Sequence, residues 1–458
     1  MNLAVLAVAA LAAVHLPVTT ADASAQSLVD RGLLYVFAYD GGDAALTFAK
    51  AAERDPHLAI AYWGEALADG PDLNTPMSEE RFTRSKNAIE RAVALEGYAG
   101  ETERRYIDAM AERYGGTWAD WTRDNASYRA AMANLSDRLA GTRDDVAIVL
   151  AAEALLENGG FAWTGTTPST PDARKSLALV EDVLADDPAN VMANHLCVHL
   201  YDGAHDRTPA EQCAKRLDAA VLPPQAEHLA HMPAHFWIET GNYAAAVASS
   251  ERAFRLFTQL QKIPDRDPDH DRYFIHDVYV GYSAAMMLDD YAIARVWSAR
   301  MGAAYGTSFD ALTALRFGRY DEAYVLARGS TPAELAVRGI AAAELGYDAE
   351  MHAIAQRLRK LTTSGDLVAL FFARVAERDG DLAAAGRWID AAVKAQRDTF
   401  ADELIPLVPA LEARGAFAMR HAAYSDAAAA YRAALTAYPD DPRAAAGLAA
   451  ALNAQNAK

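Results

Sequence analysis

The chain has 458 residues, 52% of them hydrophobic, and carries 62 acidic against 43 basic side chains for a formal charge of −19. That length buries a core with ease and suggests roughly two to four domains, and the composition is that of a folded soluble protein rather than a disordered one. No basic stripe offsets the acidity, which argues against nucleic acid or an anionic membrane as a partner.

The first feature in chain order is an apolar run from Leu3 to Val14, followed by the small-residue patterns Ala21-Asp22-Ala23 and Ala23-Ser24-Ala25. The run is too short to span a bilayer, so residues 1–25 are read as a secretory signal peptide cleaved after Ala23 or Ala25. No Lys or Arg precedes it, and the alternative is an ordinary first helix. The mature protein is expected to be periplasmic or secreted. Export permits a disulfide between the two cysteines, Cys197 and Cys213; two buried free thiols fit the spacing equally well.

From Gln26 onward the pattern is helical, in runs of roughly 12–16 residues separated by Gly, Asp-Pro or Gly-x-Tyr turns, with no convincing strand. A unit recurs. Asp43-Ala44-Ala45 leads through Phe48 and Ala51 to Asp55-Pro56, and Gly241-Asn242-Tyr243 with Ala246 leads to Ala253. Gly380-Asp381-Leu382 leads to Ala385, and Tyr424-Ser425-Asp426-Ala427 leads through Tyr431 and Ala434 to Tyr438-Pro439. These units resemble the tetratricopeptide repeat. The resemblance implies an all-α, tetratricopeptide-repeat-like α-solenoid of antiparallel helix pairs, with the first helix of each pair on a concave face. Residues 26–300 are assigned to a solenoid carrying the candidate site and residues 301–458 to C-terminal repeats.

Eight of the twelve histidines lie from His195 to His276, and six fall into a helical pattern: His195, His199, His228, His231, His235 and His276. At about 100° per residue, spacings of three, four and seven place each group on one stripe of its helix. Two imidazoles at i, i+4 suit one metal ion. Pro233 is expected to distort the helix that carries three of them. In the repeat register these histidines, with Tyr279, take the inner places of three successive first helices.

The stretch Ala61-Tyr62-Trp63-Gly64, Gly70-Pro71-Asp72-Leu73-Asn74, Asn194-His195 with His199, and His228-Leu229 with His231-Met232-Pro233-Ala234-His235 carries a further likeness. It resembles an exported bacterial family of tetratricopeptide-repeat-like proteins with NHxxxH and HLxHMPxH motifs. The chain departs from that family at Tyr39 and Tyr279, where the family usually has His.

Imidazole ligands suit copper or zinc rather than magnesium or calcium. Met232 and Tyr279 incline the choice towards copper, with zinc nearly as good. Asn194, Asp202, Glu239 and Asp277 are candidates for orienting ring N–H groups, and Tyr279 and Glu239 are the candidate catalytic residues. The expected function is a transition-metal-dependent enzyme, oxidative or hydrolytic, acting on a small-molecule or peptide ligand in the concave groove. The alternative is a non-catalytic scaffold that binds a protein or peptide and holds a structural or stored metal. His57, His352 and His421 stand alone and are read as surface or turn residues. Trp63, Trp118, Trp121 and Tyr128 are read as inter-helix core.

Overall fold

A computed structural model describes residues 14–139, 144–157, 163–164, 167–168, 170–202, 204, 206–267, 273–306, 308–361, 365–399 and 405–457. His205, His270 and nearly all of the apolar run from Leu3 lie outside these residues. The described chain is all-α, as its sequence predicts, built from successive antiparallel helix pairs of the tetratricopeptide-repeat-like solenoid type. One departure is a two-residue antiparallel pair, Trp163–Thr164 with Thr167–Pro168. Too short to show an alternating pattern, it has no signature in the sequence. Among the described residues no helix is long and apolar enough to cross a membrane.

Two compact units divide the chain: Met1–Phe236 with Glu251–Phe274, and Trp237–Ser250 with Ile275–Lys458. The division is discontinuous, because the helix Tyr243–Leu260 contributes residues to both. It falls at residues 236–275 and not at the expected boundary near 300.

In the first unit the helices Ala23–Phe37, Gly41–Arg54 and Ala59–Ala68 form the opening layers. Phe48, on the middle helix, is completely buried. Its ring occupies the space that β-carbons at Gly32 and Gly64 would need, so all three helices pack closely around one aromatic side chain. The same device recurs in the second unit. Trp297 fills the space at Gly281, and Tyr431 fills it at both Gly415 and Gly447. In each case glycine and ring are sixteen residues apart, half a repeat.

The segment before the first helix is docked rather than loose. Val14 and Leu16 are buried, the Thr19 backbone N–H donates to Glu103 at 3.0 Å, and Asp22 caps the helix Ala23–Phe37 while pairing with Arg54 at 2.9 Å. Cleavage after Ala23 or Ala25 would strip that cap and those anchors.

Candidate functional site

Five of the six patterned histidines belong to the first unit. His195 and His199 stand on Val191–Tyr201, a helix capped by Asn190 and buried along its whole length. His228 and His231 stand on the short helix Glu227–His231, and His235 on Pro233–Glu239. The break between those two helices falls at Met232, where the absent N–H of Pro233 was expected to interrupt the ladder.

Potential ligand nitrogens of His195, His199 and His228 all lie within 4.8 Å of one another. The rings approach to 4.9 Å for His195–His199 and 5.2 Å for His195–His228. Next along, His231 and His235 bring their Nε2 atoms to 2.8 Å. Two nitrogens bound tetrahedrally to one zinc at about 2.0–2.1 Å stand about 3.3 Å apart, so this pair would open by about half an ångström to share an ion.

These imidazoles do not line an open groove, which corrects the expectation of a concave surface. Exposures are 3% for His195, 2% for His199, 1% for His228 and His235, and 0% for His231. Every residue of Val191–Tyr201 is buried, so its inner stripe is interior. Burial, helped by His199, holds His195 well below the usual histidine range and brings His235 down to about 3. Both rings are therefore neutral at ordinary pH and keep a lone pair.

The orientation of His195 is informative. Its ring lies beside the backbone of Phe37, and its Nε2 is buried with no hydrogen-bond partner. In the neutral ring one nitrogen is an acceptor, and His195 stands within ligand distance of two further imidazoles. A buried acceptor without a partner costs roughly 1–3 kcal/mol, and a metal ion would remove that cost. Asp202 faces Nδ1 of His199 at 3.2 Å. Asn194 does something else. Its amide donates to the Pro188 and Asn190 carbonyls at 3.0 and 2.8 Å, bracing the helix start.

His276, Tyr279, Asp277 and Glu239 belong to the second unit, the first three on the helix Tyr273–Met287. The Tyr279 hydroxyl donates to the Ile405 carbonyl at 3.4 Å, and burial raises its pKa beyond the usual tyrosine range. The isolated histidines sit as expected: His352 bridges Asp379 and the Asp348 carbonyl, each at 2.8 Å, and is exposed. Cys197 and Cys213 form a disulfide, which settles the open alternative and ties the His195 helix to Ala210–Ala219.

Tyr39, met in the sequence only as a departure from a family pattern, lies against three of the rings. Its centroid is 4.7 Å from that of His195, 5.5 Å from His228 and 5.8 Å from His199. Its φ of 57° is left-handed, a conformation that costs a non-glycine residue roughly 1–3 kcal/mol. Tyr39 also lines a small cavity of about 20 Å³, shared with Asp72, Tyr128, Glu153 and Glu157. Tyr39 hydrogen-bonds the Glu153 carboxyl. Burial raises Glu153 to about 8 and Glu157 to about 7, the latter despite an ion pair with the fully buried Arg113.

No protein-family model and no curated protein matches the chain. Among solved structures it is similar to the TPR domain of P58(IPK), at 15% identity over 95% of this chain and 99% of that one, with a TM-score of 0.25. Yeast Tom70 matches at 12% identity over 94% and 96%, with a TM-score of 0.28. Likenesses this distant add nothing to the helical architecture described above.

Proposed function

We propose that this chain is a helical-repeat protein that binds a transition metal, copper or zinc, through His195, His199 and His228, with His231 and His235 as a neighbouring pair of donors. The observation that carries the reading is the gathering of three buried imidazoles with a potential ligand nitrogen each within 4.8 Å of the others, Nε2 of His195 being without a partner. Three protein nitrogens leave a coordination position for water or substrate, the composition that catalytic zinc sites keep and closed structural sites lack. That favours a metal-dependent enzyme over a scaffold. In the scaffold reading the metal is structural and the helical surface binds a peptide or protein.

Elemental analysis of untagged protein is expected to find zinc or copper at one or more ions per chain. Cobalt-substituted protein should change its visible spectrum when azide is added. Protein that takes up neither metal on titration would refute the site, and an unchanged cobalt spectrum with unfolding on chelation would favour the scaffold.

We further propose membership of the exported bacterial family that the histidine motifs resemble. The Cys197–Cys213 disulfide supports an oxidising compartment. Non-reducing peptide mapping of protein from its native host should recover the linked cysteine pair and an N-terminus downstream of Leu3. Replacing both cysteines by alanine should cost about 3 kcal/mol of stability for a loop of this length. A chain that starts at Met1 with two free thiols contradicts the export reading.

A further inference from the structure

The imidazoles of His195, His199, His228, His231 and His235 are at most 3% exposed, so an ion that binds them needs a way in. Resting on the metal-site reading above, we propose that the cavity beside Tyr39 is the cation route to His195, His199 and His228, and that Tyr39 is the positioning residue that closes it.

Tyr39 is in contact with both ends of this path. Its ring packs on the three imidazoles, and it also lines the cavity with Asp72, Glu153 and Glu157. The cavity has room for about one water molecule, or for one ion that has shed most of its hydration shell. Carboxyl oxygens are the donors that can replace that shell while a divalent cation loses its water. One of them belongs to Asp72, in the Gly70-Pro71-Asp72 turn that the metal site itself does not use. Asp72 accepts from the backbone N–H groups of Asn74 and Thr75 at 2.8 and 2.6 Å, which fixes its carboxyl on the cavity wall.

The closure has two holds. A hydrogen bond links Tyr39 to Glu153, a cavity-lining carboxyl. The backbone holds Tyr39 left-handed just beyond the helix Ala23–Phe37, with the Tyr39 N–H on the Val36 carbonyl and the Asp40 N–H on the Tyr35 carbonyl, both at 3.0 Å. A cation that engages Glu153 competes for the acceptor that holds the tyrosine. Ring displacement then uncovers the imidazoles, and return of the hydrogen bond seals the ion in. Phe37, whose backbone lies beside His195, is two residues before Tyr39, so one chain segment both adjoins the site and covers it.

Zinc exchange tests this. Zinc-loaded full-length protein is mixed with the chromogenic chelator 4-(2-pyridylazo)resorcinol, and zinc uptake by the stripped protein is followed in the reverse direction. Tyr39→Ala is expected to speed both uptake and release by about tenfold or more, with zinc per chain unchanged. Tyr39→Phe keeps the ring and removes the hydroxyl beside Glu153, and should speed exchange severalfold. His352→Ala should exchange as wild type does. Wild-type rates in both Tyr39 variants at full stoichiometry overturn the route while leaving the metal site standing. Should Tyr39→Ala fail to fold, Tyr39→Phe alone decides by the same criterion. A wild-type chain that takes up no zinc overturns the metal site, and the route with it.

Discussion

His195→Ala is expected to lower zinc or copper affinity by about three orders of magnitude or more, the largest effect of any single substitution at the site. Structural zinc sites bind with apparent free energies of about 10–16 kcal/mol. Losing one of three protein ligands therefore removes several kcal/mol, and each 1.4 kcal/mol is tenfold in affinity. His195 is the most sensitive position because its Nε2 is buried without a hydrogen-bond partner and its ring lies between those of His199 and His228. His352→Ala is the control, since that ring spends both nitrogens on Asp379 and the Asp348 carbonyl at the surface. Competition titration against a chelator of known affinity measures the difference. Equal affinities in the two variants would refute the assignment of His195 as a ligand.

The second large effect is one of stability. Arg113 is fully buried, pairs with Glu157, donates to Asn125 at 2.8 Å and lies 4.2 Å over the Tyr128 ring. Arg113→Met keeps the bulk but strands Glu157, which should cost about 3–5 kcal/mol where that carboxyl is ionised. The pH dependence has a definite sign. Glu153 and Glu157 are raised from about 4.5 to about 8 and about 7 by burial, so the folded chain holds protons that the unfolded chain releases. Their stabilising protonation is fully present below about pH 4.5 and is lost as pH rises through 7 and 8. Denaturant unfolding should therefore show a greater loss for Arg113→Met at pH 8.5 than at pH 5.5. Arg113→Met with Glu157→Gln should recover most of it. A loss that is small, or equal at the two pH values, counts against this account.

What was legible in the sequence was local. The i, i+4 spacing of His195 and His199 needs only helical geometry, and so does the break that Pro233 imposes near His231. The partnership of His195 with His228 needed the repeat register, because the two stand on separate helices. Tyr39 and Glu153 are distant from the histidines in sequence, and neither belongs to a ligand motif; only folding brings the Glu153–Tyr39–imidazole series together. Asn194 was misread because proximity to His195 in sequence says nothing of where an amide points, and the backbone carbonyls of the preceding turn claimed it. Burial was misjudged for a related reason. A stripe on one helix does not reveal whether further chain covers it. One global signal was present but unused: the sixteen-residue alternation of glycine and aromatic residues.

That alternation has a consequence for descent. Phe48 fits only because residues 32 and 64 lack a β-carbon, and Tyr431 stands in the same relation to residues 415 and 447. Each ring and its pair of glycines can change only in concert. A lineage that gains alanine at 64 has to lose ring volume at 48 in nearly the same step, or pass through a poorly folded intermediate. Diverged relatives should therefore keep or exchange these positions as trios, and the trios would mark the repeat phase long after the rest of the pattern has faded.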